Sequence, residues 1–210
     1  SYGKVYWIKV YRLPRGGRNA KGRPIVNLLP LEKDERIQAV LPVKEFNDDQ
    51  FIFMATESGS VKKTKLSAYS RPMKSGIKAI KLREGDRVVN AEITDGSKEI
   101  MLFSNSGKSI RFKETDARPM GRVSQGVRGM RIEKDQRIIS LVVLEEGNIL
   151  VATENGYGKQ TLKDEFSIQK RGGKGVIAIQ TSKRNGNLIG ANQVRTGDEV
   201  MFISTSGNLI

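Results

Sequence analysis

The chain has 210 residues, enough for one sizeable domain or two small ones, and a 37% hydrophobic content adequate for a buried core. It contains no cysteine and no histidine, which excludes disulfides and thiolate metal sites and removes the commonest general base. Lys and Arg number 37 against 23 Asp and Glu, a net charge of +14 that makes a polyanion the natural partner and is silent about the fold.

In chain order, residues 1–14 (SYGKVYWIKVYRLP) are polar or charged where a secretory signal would be apolar, and they read as the end of a preceding structural unit. Units of about 50 residues then follow at 15–70, 71–117 and 118–166, with an incomplete one at 167–210. Their shared core is an apolar run, a small or polar pair and a glycine: FIFMATESG (51–59), EIMLFSNSG (99–107), NILVATENG (148–156) and EVMFISTSG (199–207). The closing glycines, Gly59, Gly107, Gly156 and Gly207, are spaced by 48, 49 and 51 residues. A second anchor (ERIQAV, DRVVNA, QRIISL, GNLIGA) begins at Glu35, Asp86, Gln136 and Gly186, in steps of 51, 50 and 50. A third (KGRPIVNL, SGIKAIKL, QGVRGMRI, KGVIAIQT) begins at Lys21, Ser75, Gln125 and Lys174.

Within each unit the apolar runs are short, rich in Val, Ile and Phe, and bounded by Gly, Asn, Asp and Ser, which favours strands. TESGSV, SNSGKS and TENGYG have the composition of hairpin turns, and no amphipathic helix of useful length is evident. About 50 residues holding roughly four strands is the size of a propeller blade, so the fold expected is a single all-β, propeller-like array. Gly3 and Gly207 fall on the same turn of the repeat, so the chain reads as cut from a longer array. The longest apolar runs, such as 51–55 and 100–103, are strand-sized, and a soluble protein of a reducing cytoplasm, away from membranes, is expected.

The excess charge follows the repeat. Four stretches free of acids, 9–23, 71–83, 118–131 and 167–175, carry six, five, four and three positive residues. They hold 18 of the 37 cations, which leaves 19 cations against 23 acids elsewhere. Equivalent positions of a radial array lie at equivalent radius and height, so one basic segment per blade becomes a belt. A belt suits a wrapped duplex, bound by phosphate neutralisation, with log K falling against log salt at a slope of about −0.9 per phosphate contacted. Such binding is nearly indifferent to base sequence. The candidate contacts are Arg15, Arg18, Lys21 and Arg23; Arg71, Lys74 and Lys78; Arg118, Arg122, Arg128 and Arg131; and the whole of QKRGGKG: Gln169, Lys170, Arg171, Gly172, Gly173, Lys174 and Gly175. The plainer reading of these stretches is solvated loops charged for solubility.

QKRGGKG by itself admits two readings equally. Arg171 could offer a bidentate fork to phosphate, Lys170 and Lys174 point charges, and Gly172 and Gly173 a nest of N–H groups; or the glycines could serve only a turn. It is not a P-loop, because GxxxxGK[ST] spacing is absent.

Taken together, GKVYWIKVYRLP, KGRPIVNLLPLEKDERI, FMATESGSVKKT, GVRGMRI and TENGYGKQT resemble the C-terminal domain of the A subunit of bacterial DNA gyrase over essentially all 210 residues. QKRGGKG is similar to that family's hallmark box, here in the last unit instead of the first; RGGRNAKG (15–22) is a looser echo. The resemblance implies a β-pinwheel, usually six-bladed, of which this chain would be a fragment. It also implies DNA wrapped on a basic rim in support of negative supercoiling, with no catalytic residue and no cofactor in the domain itself. ATP, magnesium, the B subunit and a second A subunit would belong to the parent heterotetramer. Two alternatives share the fold: the corresponding domain of topoisomerase IV, and a propeller platform for an acidic protein. An enzymatic role is weakest, because the acidic pairs Asp34/Glu35, Asp48/Asp49 and Glu145/Glu146 sit beside turns without the partners that acid–base or two-metal chemistry needs.

Overall fold

The computed structural model describes residues 2–207, and its extended segments are strands throughout, with no helix longer than a 3₁₀ turn. In chain order these are β1 (Lys4–Val5), β2 (Phe51–Thr56), β3 (Ser60–Lys65), β4 (Ile77–Lys78), β5 (Val88–Thr94), β6 (Glu99–Ser104), β7 (Lys108–Lys113), β8 (Val127–Arg128), β9 (Ile138–Leu144), β10 (Asn148–Thr153), β11 (Gly158–Leu162), β12 (Val176–Ile177) and β13 (Leu188–Val194).

The repeat glycines turn the hairpins β2–β3, β6–β7 and β10–β11, each with the antiparallel register that the turn imposes. The first two hairpins form the middle of four-stranded blades, and the third supplies the centre and one edge of a three-stranded one. The first blade has the order β5-β2-β3-β8, the second β9-β6-β7-β12 and the third β13-β10-β11, while β1 pairs with β4. The outer strands arrive from far along the chain: β8 follows the whole of the second hairpin before pairing with β3, and β12 does the same with β7. A four-stranded blade thus draws on three consecutive repeat units, which is the strand exchange of a pinwheel and corresponds to the fold expected. The register of the inner strands shifts at the same point in every blade, at Ala55/Thr56, Phe103/Ser104 and Ala152/Thr153.

Both faces of the first two blades are covered, so the period-2 alternation of β2 and of β6 feeds two cores at once, whereas β10 buries only its alternate residues Ile149, Val151 and Thr153. Phe53 and Ala55 of β2 pack with Ile100, Leu102, Ile110 and Phe112 between the first and second blades. Ile52 and Met54, on the opposite face of β2, pack with Leu66, Tyr69, Ala79 and Ile80. Met101 and Phe103 of β6 likewise turn away from the first blade to meet Ile149, Val151 and Leu188 of the third.

Residues 6–50 form no strand and only two 3₁₀ turns, at Val10–Arg12 and Ile25–Asn27. The unit expected at 15–70 therefore contributes regular strands only from 51 onward. β5, β9 and β13 each lie against the first strand of a hairpin, whereas residues 35–44 pair with no strand among the described residues. Residues 208–210, the end of the fourth unit, lie outside the described residues.

Candidate nucleic-acid interface

The inner strands fix which edge of each blade is the rim. β9 lies against both β5 and β13, so these strands converge, and the opposite edges, formed by β4, β8 and β12, face outward. The basic stretches 71–83 and 118–131 contain β4 and β8, and 167–175 runs directly into β12. Three of the four acid-free segments therefore occupy the same structural place, the outer edge of successive sheets. The fourth, 9–23, is exposed along its length and forms no strand.

The placement of individual side chains is uneven. Arg71, Lys74, Lys78, Arg118, Arg128, Arg131, Lys170 and Lys174 are exposed, as are Arg15, Arg18, Lys21 and Arg23. Arg122, Gln169 and Arg171 are partly covered and engaged with the protein. Arg122 donates from Nη1 to the carbonyl of Lys78 at 2.6 Å. Arg171 donates from Nε to the Asp116 carbonyl at 2.8 Å and from Nη1 to the Arg128 carbonyl at 2.9 Å. The bidentate fork expected of Arg171 is thus directed at backbone, and Nη2 is the guanidinium nitrogen outside those bonds.

The glycines of QKRGGKG divide as well. Gly175 has φ +74°, and a Cβ there would stand 2.4 Å from the Ser109 carbonyl oxygen, because the chain must pass close to β7 as it enters β12. Gly126 holds the same place before β8, with φ +85° and the Val61 carbonyl equally close. This last glycine of the box serves strand exchange. Gly173 has only ordinary contacts, the nearest being Ile110 Cδ1 at 3.5 Å. The backbone between these glycines is also spoken for: the amide of Gly172 donates to Gly129, and the amide of Arg131 to the carbonyl of Gly173 at 2.8 Å. A turn and a charged surface therefore coexist in the motif, with the exposed cations at Lys170 and Lys174.

Beneath the rim lies a lysine that composition and spacing do not single out. Lys62 is fully buried at 0% exposure, and its Nζ donates to Thr64 Oγ1 at 2.5 Å and to the Ala79 carbonyl, just after β4, at 2.8 Å. Burial, and then the charge of Arg122, push its pKa down to about 8. The signal was present in SVKKTK: in a strand with both faces covered, alternation sends one of two adjacent lysines into each core. The other, Lys63, reaches across to the next blade, where its Nζ donates to the Glu114 carbonyl at 3.3 Å and lies 3.9 Å from the fully buried Glu114 carboxylate. Arg111, at the equivalent place in β7, donates to the carbonyls of Lys163 and Phe166 in the following blade. Lys81 and Arg83, which belong to the acid-free stretch 71–83 and are not among the named candidate contacts, are exposed beside β4 as well.

The acidic pairs take structural partners. Glu35 accepts from Tyr6 Oη at 2.8 Å, Asp48 from Ser67 Oγ at 2.5 Å and Glu145 from Arg195 Nη2 at 2.6 Å. Among the described residues no group of three or more Asp and Glu is placed to hold a metal ion, and no helix is long and apolar enough to cross a membrane.

The profile of the family described as DNA gyrase C-terminal domain, beta-propeller matches four successive segments, residues 3–44, 50–95, 98–145 and 147–195. The A subunit of DNA gyrase from Salmonella typhimurium is 50% identical over 211 aligned residues, which cover 100% of this chain and 24% of that protein. Its Escherichia coli counterpart is 49% identical over the same span. The chain thus spans about a quarter of the length of these relatives. Among solved structures, the C-terminal domain of DNA topoisomerase IV superposes with a TM-score of 0.91 at 27% identity, covering 99% of this chain and 66% of that one. The C-terminal domain of DNA gyrase A gives 0.84 at 27% identity, covering 100% and 68%.

Proposed function

Since the chain belongs to the DNA gyrase A C-terminal domain family, we propose that it binds duplex DNA along its outer rim, bends it, and wraps it without reading base sequence. The observation that carries this reading is the placement of three consecutive basic segments on the same outward edges of successive sheets. The exposed cations there, including Lys78, Arg128, Lys170 and Lys174, would neutralise phosphates as the duplex passes from blade to blade. Arg71, Lys74, Arg118 and Arg131 flank them, and Arg15, Arg18, Lys21 and Arg23 would continue the belt.

In the whole protein this domain would support negative supercoiling as a noncatalytic part of a cytoplasmic enzyme. The second A subunit, the B subunit, and the ATP and magnesium of the parent complex are proposed with it on the strength of family membership. A second reading, the corresponding domain of topoisomerase IV, is favoured by the close superposition on that fold; the much higher sequence identity to gyrase A sets it second.

The deciding experiment is religation of a nicked plasmid with and without the chain, read on a topology gel. Wrapping shifts the linking-number distribution in proportion to bound protein and gives the hand of the wrap. An unshifted distribution at saturating protein would sink the proposal.

A further inference from the structure

Arg122 and Arg171 occupy the same place in consecutive repeats, each four residues before the glycine that admits the outer strand, Gly126 or Gly175. Each reaches the outer strand of the sheet before it, and each takes the carbonyl of the same position there. Arg122 holds Lys78, the last residue of β4, and Arg171 holds Arg128, the last residue of β8. The second bond of Arg171, to Asp116, ties the same guanidinium to its own blade just beyond β7. Backbone bonds repeat alongside: Lys81 N donates to the Ser124 carbonyl at 3.2 Å, and Arg131 N to that of Gly173 at 2.8 Å, again equivalent pairs one unit apart.

The residues whose carbonyls are held are themselves exposed cations on the rim. Lys62 secures the carbonyl that follows the first of these strands, that of Ala79. A planar guanidinium can satisfy two acceptors in different directions while staying rigid, which a lysine ammonium on a flexible stem does poorly.

We infer that Arg122 and Arg171 are positioning residues of the DNA rim: each fastens one blade to the outer strand of the blade before it, and so sets the spacing of the cations at Lys78 and Arg128 that meet phosphate. The inference rests on the rim being the DNA path. It assigns the arginine of QKRGGKG to geometry and leaves direct charge neutralisation in that motif to Lys170 and Lys174.

The test compares charge-preserving and charge-removing changes on two duplexes. A duplex of about 10 bp is far shorter than the persistence length of about 150 bp and reports local phosphate contact; one of about 40 bp, with dyes at its ends, also reports bending around several blades. Expected for Arg171→Lys and Arg171→Ala alike are near-unchanged affinity for the short duplex, an affinity for the long one lowered by about tenfold, and a loss of end-to-end energy transfer. Arg122→Lys is expected to behave in the same way, and Lys170→Ala to weaken both duplexes and lower the salt slope by about 0.9.

If Arg171→Lys matches the parent chain on both duplexes while Arg171→Ala weakens both and loses about 0.9 of salt slope, Arg171 is a phosphate ligand and the inference is overturned. No effect of any arginine substitution on the long duplex overturns it too. Should an Arg171 variant lose its thermal unfolding transition, Arg122→Lys, which breaks a single bond, decides between the two outcomes. Failure of the parent chain to bind either duplex would instead remove the rim reading itself.

Discussion

Gly175→Ala separates architecture from charge within QKRGGKG, because it leaves every cation in place. An alanine at φ +74° costs about 1–2 kcal/mol relative to glycine. The added Cβ would also stand 2.4 Å from the Ser109 carbonyl oxygen, a backbone atom that cannot swing away. Relief requires β12 to lift from β7, where Val176 faces Ser109 and Ile177 faces Lys108. Losing that short ladder adds roughly 1 kcal/mol for each hydrogen bond broken, so a destabilisation of about 3 kcal/mol is expected. Gly173→Ala is the internal control: φ there is not positive and the nearest atom, Ile110 Cδ1, lies at an ordinary 3.5 Å. That change is expected to be neutral or to stabilise by up to about 1 kcal/mol through the unfolded chain. Urea unfolding of the two variants, with hydrogen exchange read at Val176 and Ile177, measures both effects. Equal stability of the two variants, or unchanged protection of β12 in Gly175→Ala, would refute the claim that this glycine exists to admit the exchanged strand.

Lys62→Met is expected to flatten the pH dependence of stability between pH 8 and 10. The folded-state pKa of about 8 lies below the unfolded value of 10.5, so the unfolded chain binds the extra proton in this window and the parent chain gains stability as pH rises, by at most about 1.4 kcal/mol per pH unit. Tyr69, whose pKa burial pushes up to about 12, acts in the opposite sense above pH 10 and cancels between the two chains. Denaturant titrations at pH 7, 8.5 and 10 give the difference, and parallel curves would contradict it. Glu114→Ala is expected to cost about 3 kcal/mol in urea unfolding, because the fully buried carboxylate accepts from Thr94 Oγ1 and the Lys98 amide and faces Lys63. Asp164→Ala, whose side chain is 79% exposed beside Arg111, is expected to cost less than about 1 kcal/mol.

The repeat glycines, the hairpins and the phase of the basic stretches were legible because they are local: a turn glycine, a run of alternating β-branched residues and a cluster of lysines need no partner to be read. The same locality explains what was missed. Residues 35–40 carry the pattern of an inner strand and form none among the described residues, because a local pattern says which side chains would alternate and not which strand would pair with them. Arg171 and Lys170 are neighbours with equal formal charge, yet one lies on backbone carbonyls 55 and 43 residues away and the other faces solvent. Lys62 and Lys63 sit side by side in SVKKTK, and only the stacking of blades sends the first beneath β4 and the second toward Glu114. The period, the hairpins and the excess charge with its phase are set by composition and spacing and need nothing beyond the sequence. Which cations face outward, which hold the frame and which glycine is indispensable were decided by strand exchange, which brings together segments 43 residues or more apart and so leaves no trace in any local window.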